Sequence, residues 1–143
     1  REIQNYLGRI SGPLLDRIDL HIEVPTVPFD KISGMEAGES SEQIKQRVVA
    51  ARKIQLRRFA QWKAIMCNAN MSSRALKVCC QLDEASLDLM KHAMAHVGLS
   101  ARAYDRILKV ARTIADLAQQ EHIHSDHVME AIQFRELDRQ IWT

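Results

Sequence analysis

The sequence predicts a mainly helical chain with one strand near its start, and three observations carry that reading. Helix-capping residues stand at the heads of two long stretches, Ser40 with Gln43 and then Ser100. Apolar residues within those stretches recur every three or four positions, and residues 18–24 instead alternate apolar and polar.

In residues 18–24, Ile18, Leu20, Ile22 and Val24 oppose Asp19, His21 and Glu23, the period-two pattern of a strand buried on one face. Gly12-Pro13 punctuates the chain upstream, and Pro13 can open a short helical turn through Leu15-Asp16. Arg17 is thereby fixed at the entrance to the strand. Pro25-Thr26-Val27-Pro28 stops the strand, because proline contributes no ladder donor. A linker without sustained period follows and carries Gly34 and Gly38.

Ser40 and Gln43 then match a capping box, so a long helix is expected, with Ile44, Val48, Ala51, Phe59 and Trp62 on its core-facing side. Its cations, Lys45, Arg47, Arg52, Lys53, Arg57, Arg58 and Lys63, scatter around most of the circumference. That is the pattern of a solvated face rather than of one DNA-binding stripe. After a break at Asn68-Ala69-Asn70, Ser72 or Ser73 caps a shorter helix through Cys80, and Asp83 caps another through His96.

Gly98 ends that helix and Ser100 begins the next, which runs from Ala101 to about Ala118. Its expected buried stripe is Ala103, Ile107, Val110, Ala111, Ile114 and Leu117, with Arg102, Arg106 and Lys109 together on the opposite side. Asp105 with Lys109 and Arg112 with Asp116 are i, i+4 pairs, each worth about 0.2–0.5 kcal/mol on an exposed helix. A last helix, capped by Ser125 or Asp126, carries Val128, Ala131, Ile132 and Arg135.

Composition narrows the class. The 143 residues suit one domain, or one domain with part of another, and 46% hydrophobic content suffices for an ordinary core. There is no apolar run of membrane-spanning length and no signal-like apolar segment, so a soluble, cytoplasmic protein without membrane partners is the expectation. Net charge is +2, too small to imply nucleic-acid binding, although residues 1–75 carry 12 Lys/Arg against 8 Asp/Glu and the remainder carries 8 against 10. Cys67, Cys79 and Cys80 lack metal-knuckle spacing and read as reduced, partly buried thiols. His92 with His96, and the HxHxxH of His122, His124 and His127, raise a metal site, but no cysteine or carboxylate pair completes one. No metal site is therefore assigned.

Arg102 is unusual, since a cation in a helix's first turn faces the positive end of the macrodipole. An external phosphate suits that position, where free N–H groups and a planar guanidinium can share an anion. An ordinary surface arginine is the other reading of the pattern. A P-loop needs G-x-x-x-x-G-K-[ST], and residues 34–40 have neither the spacing nor the lysine. A Walker B segment and the usual nucleophilic triads are also absent.

Four ordered strings carry a resemblance over nearly the whole chain: ISGPLLDRIDLHIEVP, ESSEQIKQRVVAARKIQLRRF, GLSARAYDRILKVARTIADL and EAIQFRELDR. Together they resemble the C-terminal part of the magnesium-chelatase-like AAA+ ATPases of the ComM/YifB family. The resemblance implies a mainly α fold: a helical AAA+ lid preceded by the last strand and flanking segment of the α/β core. Residues 1–25 would be the tail of that core, 26–39 the linker, and 40–143 the lid with its sensor-2 helix. It implies that Arg17 is an arginine finger acting in trans, flanked by Arg9 and Asp16, and that Arg102 is the sensor-2 residue reaching nucleotide in cis.

The same resemblance implies ATP and Mg2+ as cofactors of the full-length protein, with neither bound by this portion alone. The expected partners are the chain's own AAA+ core, further copies in a homo-oligomeric ring such as a hexamer, and DNA. The family's activity, ATP hydrolysis coupled to DNA remodelling in competence or recombination, is then expected of the parent protein. The competing reading is a stand-alone helical DNA-binding or adaptor module that uses the helix bearing Lys45 to Lys63.

Overall fold

The computed structural model describes residues 14, 17–27, 38–97 and 99–135, and its secondary structure is helical. Helix α1 (Ser41–Arg58) starts at the predicted capping box: the Gln43 N–H donates to the Ser40 hydroxyl at 3.3 Å, and the Ser40 N–H donates to the Gln43 side chain at 3.1 Å. A 3-10 turn at Asn68–Asn70 leads to α2 (Ser73–Cys79), where the Ser72 hydroxyl accepts from the Ala75 N–H. Asp83 accepts from the Ser86 N–H at 2.8 Å at the head of α3 (Glu84–Val97). Ser100 accepts from the Ala103 N–H at 3.2 Å at the head of α4 (Ala101–Leu117), and α5 (Ser125–Gln133) follows. Each cap satisfies an amide that has no partner inside its helix.

Helix α4 is the centre of the bundle and packs against α1, α2, α5 and the 3-10 turn, while α3 packs on α5. Ala103, Ile107, Ala111 and Ala115 recur every four residues along α4 and are fully buried. The small side chains let neighbouring helices approach, and Phe59, Leu76, Met90, Ile123, Val128 and Ala131 close around them. The segments leading into α3 and α5 are paired by an isolated parallel bridge between Leu82 and Ile123.

Three expectations are corrected. Residues 18–24 do not form a strand: no ladder partner exists for them among the described residues, and an unpaired strand has nothing to hold its backbone groups. Instead the His21 N–H donates to the Phe134 carbonyl at 2.9 Å and the Ile18 carbonyl accepts from Arg135, which drapes the segment over the end of α5. Leu20, Ile22 and Val24 are exposed there.

Second, the predicted apolar face of α1 is packed only in its later part: Ala51 and Phe59 are buried and Trp62 packs against the core, whereas the earlier positions are not covered. Ile44 and Val48 are 42% and 45% exposed, and within the helix the buried residues are Ala51 and Gln55. Residues 41–49 are all exposed, so the first half of α1 contributes nothing to the core. Third, the buried face of α4 is rotated toward Leu108, Arg112 and Asp116, which leaves Val110, Ile114 and Leu117 half-buried. The start of α5 is set by His124, one position before Ser125. Gly12-Pro13, Arg9, Asp16, Gly34 and Gly98 lie outside the described residues.

Helix α4 ends with the Gln120 N–H donating to the Ala115 carbonyl at 2.8 Å, a closure that needs the intervening residue in the left-handed region. Gln119 occupies it with φ 57°, where a side chain crowds its own backbone. Replacing exposed Gln119 by glycine is therefore expected to stabilise the chain by about 0.5–1 kcal/mol, read as a higher urea midpoint with unchanged slope.

Candidate functional site

Arg17 lies in a turn, its N–H donating to the Leu14 carbonyl at 2.9 Å, and its side chain is exposed. Arg102 is exposed in the first turn of α4, beside the amides that Ser100 begins to cap. Among the described residues neither guanidinium has a hydrogen-bond or ion-pair partner. Arg106 and Lys109 do not share that freedom. Arg106 pairs with Asp19, and Lys109 donates to the Ala69 carbonyl at 2.9 Å instead of pairing with Asp105. Of the three cations on that side of α4, Arg102 alone is left to an outside anion.

The strongest electrostatic feature of the described residues was not anticipated. Asp116 is fully buried and receives Arg58 through both terminal nitrogens, Asn68 Nδ2 at 2.8 Å and Arg112 Nε at 3.2 Å. Arg112 also donates to the Glu121 and Gln120 carbonyls at 2.8 and 2.7 Å, tying down the end of α4. Asn68 donates to Thr113 at 3.0 Å and accepts from Arg58 at 3.1 Å. The pair Arg112–Asp116, expected as an exposed helical pair, is thus half of a buried network that joins α1, the 3-10 turn and α4. The hydrogen bond to Asp116 raises the Arg58 pKa, whereas burial pushes that of Arg112 down.

The one available sequence signal was positional. Ala51, Gln55 and Arg58 share a face by their 4 and 3 spacing, so polar residues stood where a core stripe was expected. The remaining cations of α1 are solvated or locally engaged: Arg47 grips Glu39 through two bonds of 2.7 and 3.0 Å, and Arg52 bonds Gln55 at 2.6 Å.

Among the described residues no group of three or more metal-ligating side chains converges. His92 and His96 stack in parallel on the exposed face of α3, and His127 Nδ1 accepts from the His124 N–H at 3.0 Å. Burial, then the neighbouring His124 and Arg112 charges, hold the His127 pKa down, so that acceptor is kept neutral. Burial pushes the Cys80 thiol up to about 12, and raises that of Cys79 as well. No helix among the described residues is long and apolar enough to cross a membrane.

The family model for the C-terminal region of magnesium chelatase subunit ChlI matches residues 38–135, the whole helical bundle. The chain belongs to that family. The companion model for magnesium chelatase subunit ChlI matches residues 1–32. Among similar proteins, YifB of Escherichia coli is 42% identical over 135 residues, covering 94% of this chain and 26% of that protein. Competence protein ComM of Haemophilus influenzae is 39% identical over 140 residues, covering 97% of this chain and 26% of ComM. An uncharacterized Mycobacterium tuberculosis protein, Rv2897c, is 35% identical over 135 residues, with 93% and 26% covered. The chain thus spans about a quarter of the length of these magnesium chelatase-like relatives.

Removing one member of a buried charge network leaves the others desolvated and uncompensated. Asp116→Ala is expected to cost about 3–5 kcal/mol of stability in denaturant titration. The thiolate is the reactive form of cysteine. At pH 8 a maleimide is therefore expected to spare Cys80 in the folded chain and to modify it once denaturant is added.

Proposed function

We propose that this chain is the C-terminal portion of a magnesium-chelatase-like AAA+ ATPase that couples ATP hydrolysis to DNA remodelling. Membership of the magnesium chelatase family supports the class, and the name of the Haemophilus influenzae relative supports a setting in competence. The observation that carries the reading is Arg102: an exposed guanidinium in the first turn of a 17-residue helix, against the macrodipole and without a partner among the described residues.

That setting fits a terminal phosphate of ATP–Mg2+. The first-turn amides and the guanidinium fork can bond two of its oxygens. In this reading Arg102 contacts nucleotide held by its own subunit's core and draws the helical bundle toward it. Arg17, exposed in its turn, reaches a neighbouring subunit's site in a ring and neutralises charge that develops there in the transition state. ATP with Mg2+ supplies the transferable phosphoryl group and the metal that balances its charge. Neither arginine can act alone, since the residues that would hold the rest of the nucleotide are not in this sequence.

The test uses the full-length protein and DNA-stimulated phosphate release. Arg17→Ala is expected to lower kcat by about 10³-fold or more when subunits are saturated with ATP. Arg102→Ala is expected to weaken nucleotide binding as well as turnover. In mixed rings, Arg17→Ala subunits should poison wild-type neighbours, as a residue acting in trans must. Wild-type hydrolysis by both variants would sink the reading.

A further inference from the structure

Beside the buried network lies an open cleft of about 600 Å³ between the end of α1, α2 and the turn from α4 to α5. Arg57, Arg58, Arg112, Cys79, Gln119 and Glu121 are among the residues that line it. We propose that this cleft binds an oxyanion, presented as a phosphate ester or as a carboxylate, with Arg57 as its exposed anchor.

The first argument is charge. Behind the cleft wall, two guanidiniums, Arg58 and Arg112, share one carboxylate, Asp116. Carbonyls at the end of α4 take two of Arg112's protons, but these dipoles do not supply a full negative charge. Arg57 adds a third cation at the mouth, where its Nε leans on the Lys53 carbonyl at 3.4 Å and its terminal nitrogens have no partner among the described residues. Against three cations the lining and its backing place two carboxylates, Glu121 and Asp116, and Asp116 is already saturated. A desolvated cation in excess favours an anion at the one side open to solvent.

The second argument is Gln119. A residue held at φ 57° is disfavoured unless it is glycine, yet a glutamine sits there with its side chain exposed. It lines this cleft and also the adjoining hollow formed by Gln46, Val49, Ala50, Lys53, Ile54 and Arg57. Packing does not require that side chain, but an amide donor lining the same two hollows as Arg57 would serve an oxyanion. The cleft is separate from Arg102, which lies at the other end of α4. The inference therefore does not rest on the ATPase reading.

Titration of the chain with inorganic phosphate, and in parallel with glutarate, at constant ionic strength and followed by amide NMR, tests it. Shifts should saturate at Gln119, Gln120, Glu121 and His122, and the probe that binds more tightly identifies the source of the oxyanion. Arg57→Gln, an exposed substitution, should weaken that binding about tenfold while Arg102→Gln leaves it unchanged. No saturable shift with either probe overturns the proposal. So does a shift that survives in Arg57→Gln, or one that is lost in Arg102→Gln.

Discussion

Everything in the bundle is hung on the carboxylate of Asp116. Among the described residues it joins α1, the 3-10 turn and α4 by directional bonds rather than by apolar contact alone. Leu and Ala side chains can slide past one another at little cost, whereas a buried carboxylate holding two guanidiniums and an amide has one good geometry. The network therefore fixes where α1 crosses α4. Through Arg112 and the Gln120 and Glu121 carbonyls it also fixes how the chain leaves α4 toward α5.

The helix starts were legible because each depends on a side chain and an amide three residues away. Ser40, Ser72, Asp83 and Ser100 all cap as their local sequence requires. Which face of each helix turns inward was less legible, because that depends on partners elsewhere in the chain. Ile44 and Val48 promise a core, but the bundle is built on the second half of α1, where Gln55 is buried and Arg58 bonds Asp116 of α4. Residues 18–24 have the alternation of a strand and lack the neighbour that would make them one, so pattern and outcome part company for a nonlocal reason.

The same division runs through the candidate site. Arg17 and Arg102 could be singled out because a turn and a first helical turn are local facts. The Arg58–Asp116–Arg112 network could not, because 58 positions separate Arg58 from Asp116 and the i, i+4 spacing of Arg112 and Asp116 suggests only a surface pair. Fold and chemistry meet on α4, which carries the free Arg102 at one end and the network at the other. A straight helix of 17 residues between them is a rigid rod of roughly 25 Å, able to carry a displacement at its head to the junction with α1.

Residues 41–49 of α1 are all exposed, and among the described residues they have Gln119 as a tertiary neighbour, beside Gln46 and Val49. Their helix does not have to nucleate, because the anchored second half already supplies formed turns, and propagation into the arm costs only intrinsic propensity. The arm is consequently a thermometer and an electrolyte gauge of its own. Its outer turns should lengthen or shorten with the Ser40 cap and the screened Arg47–Glu39 bridge, while the bundle that carries it stays indifferent.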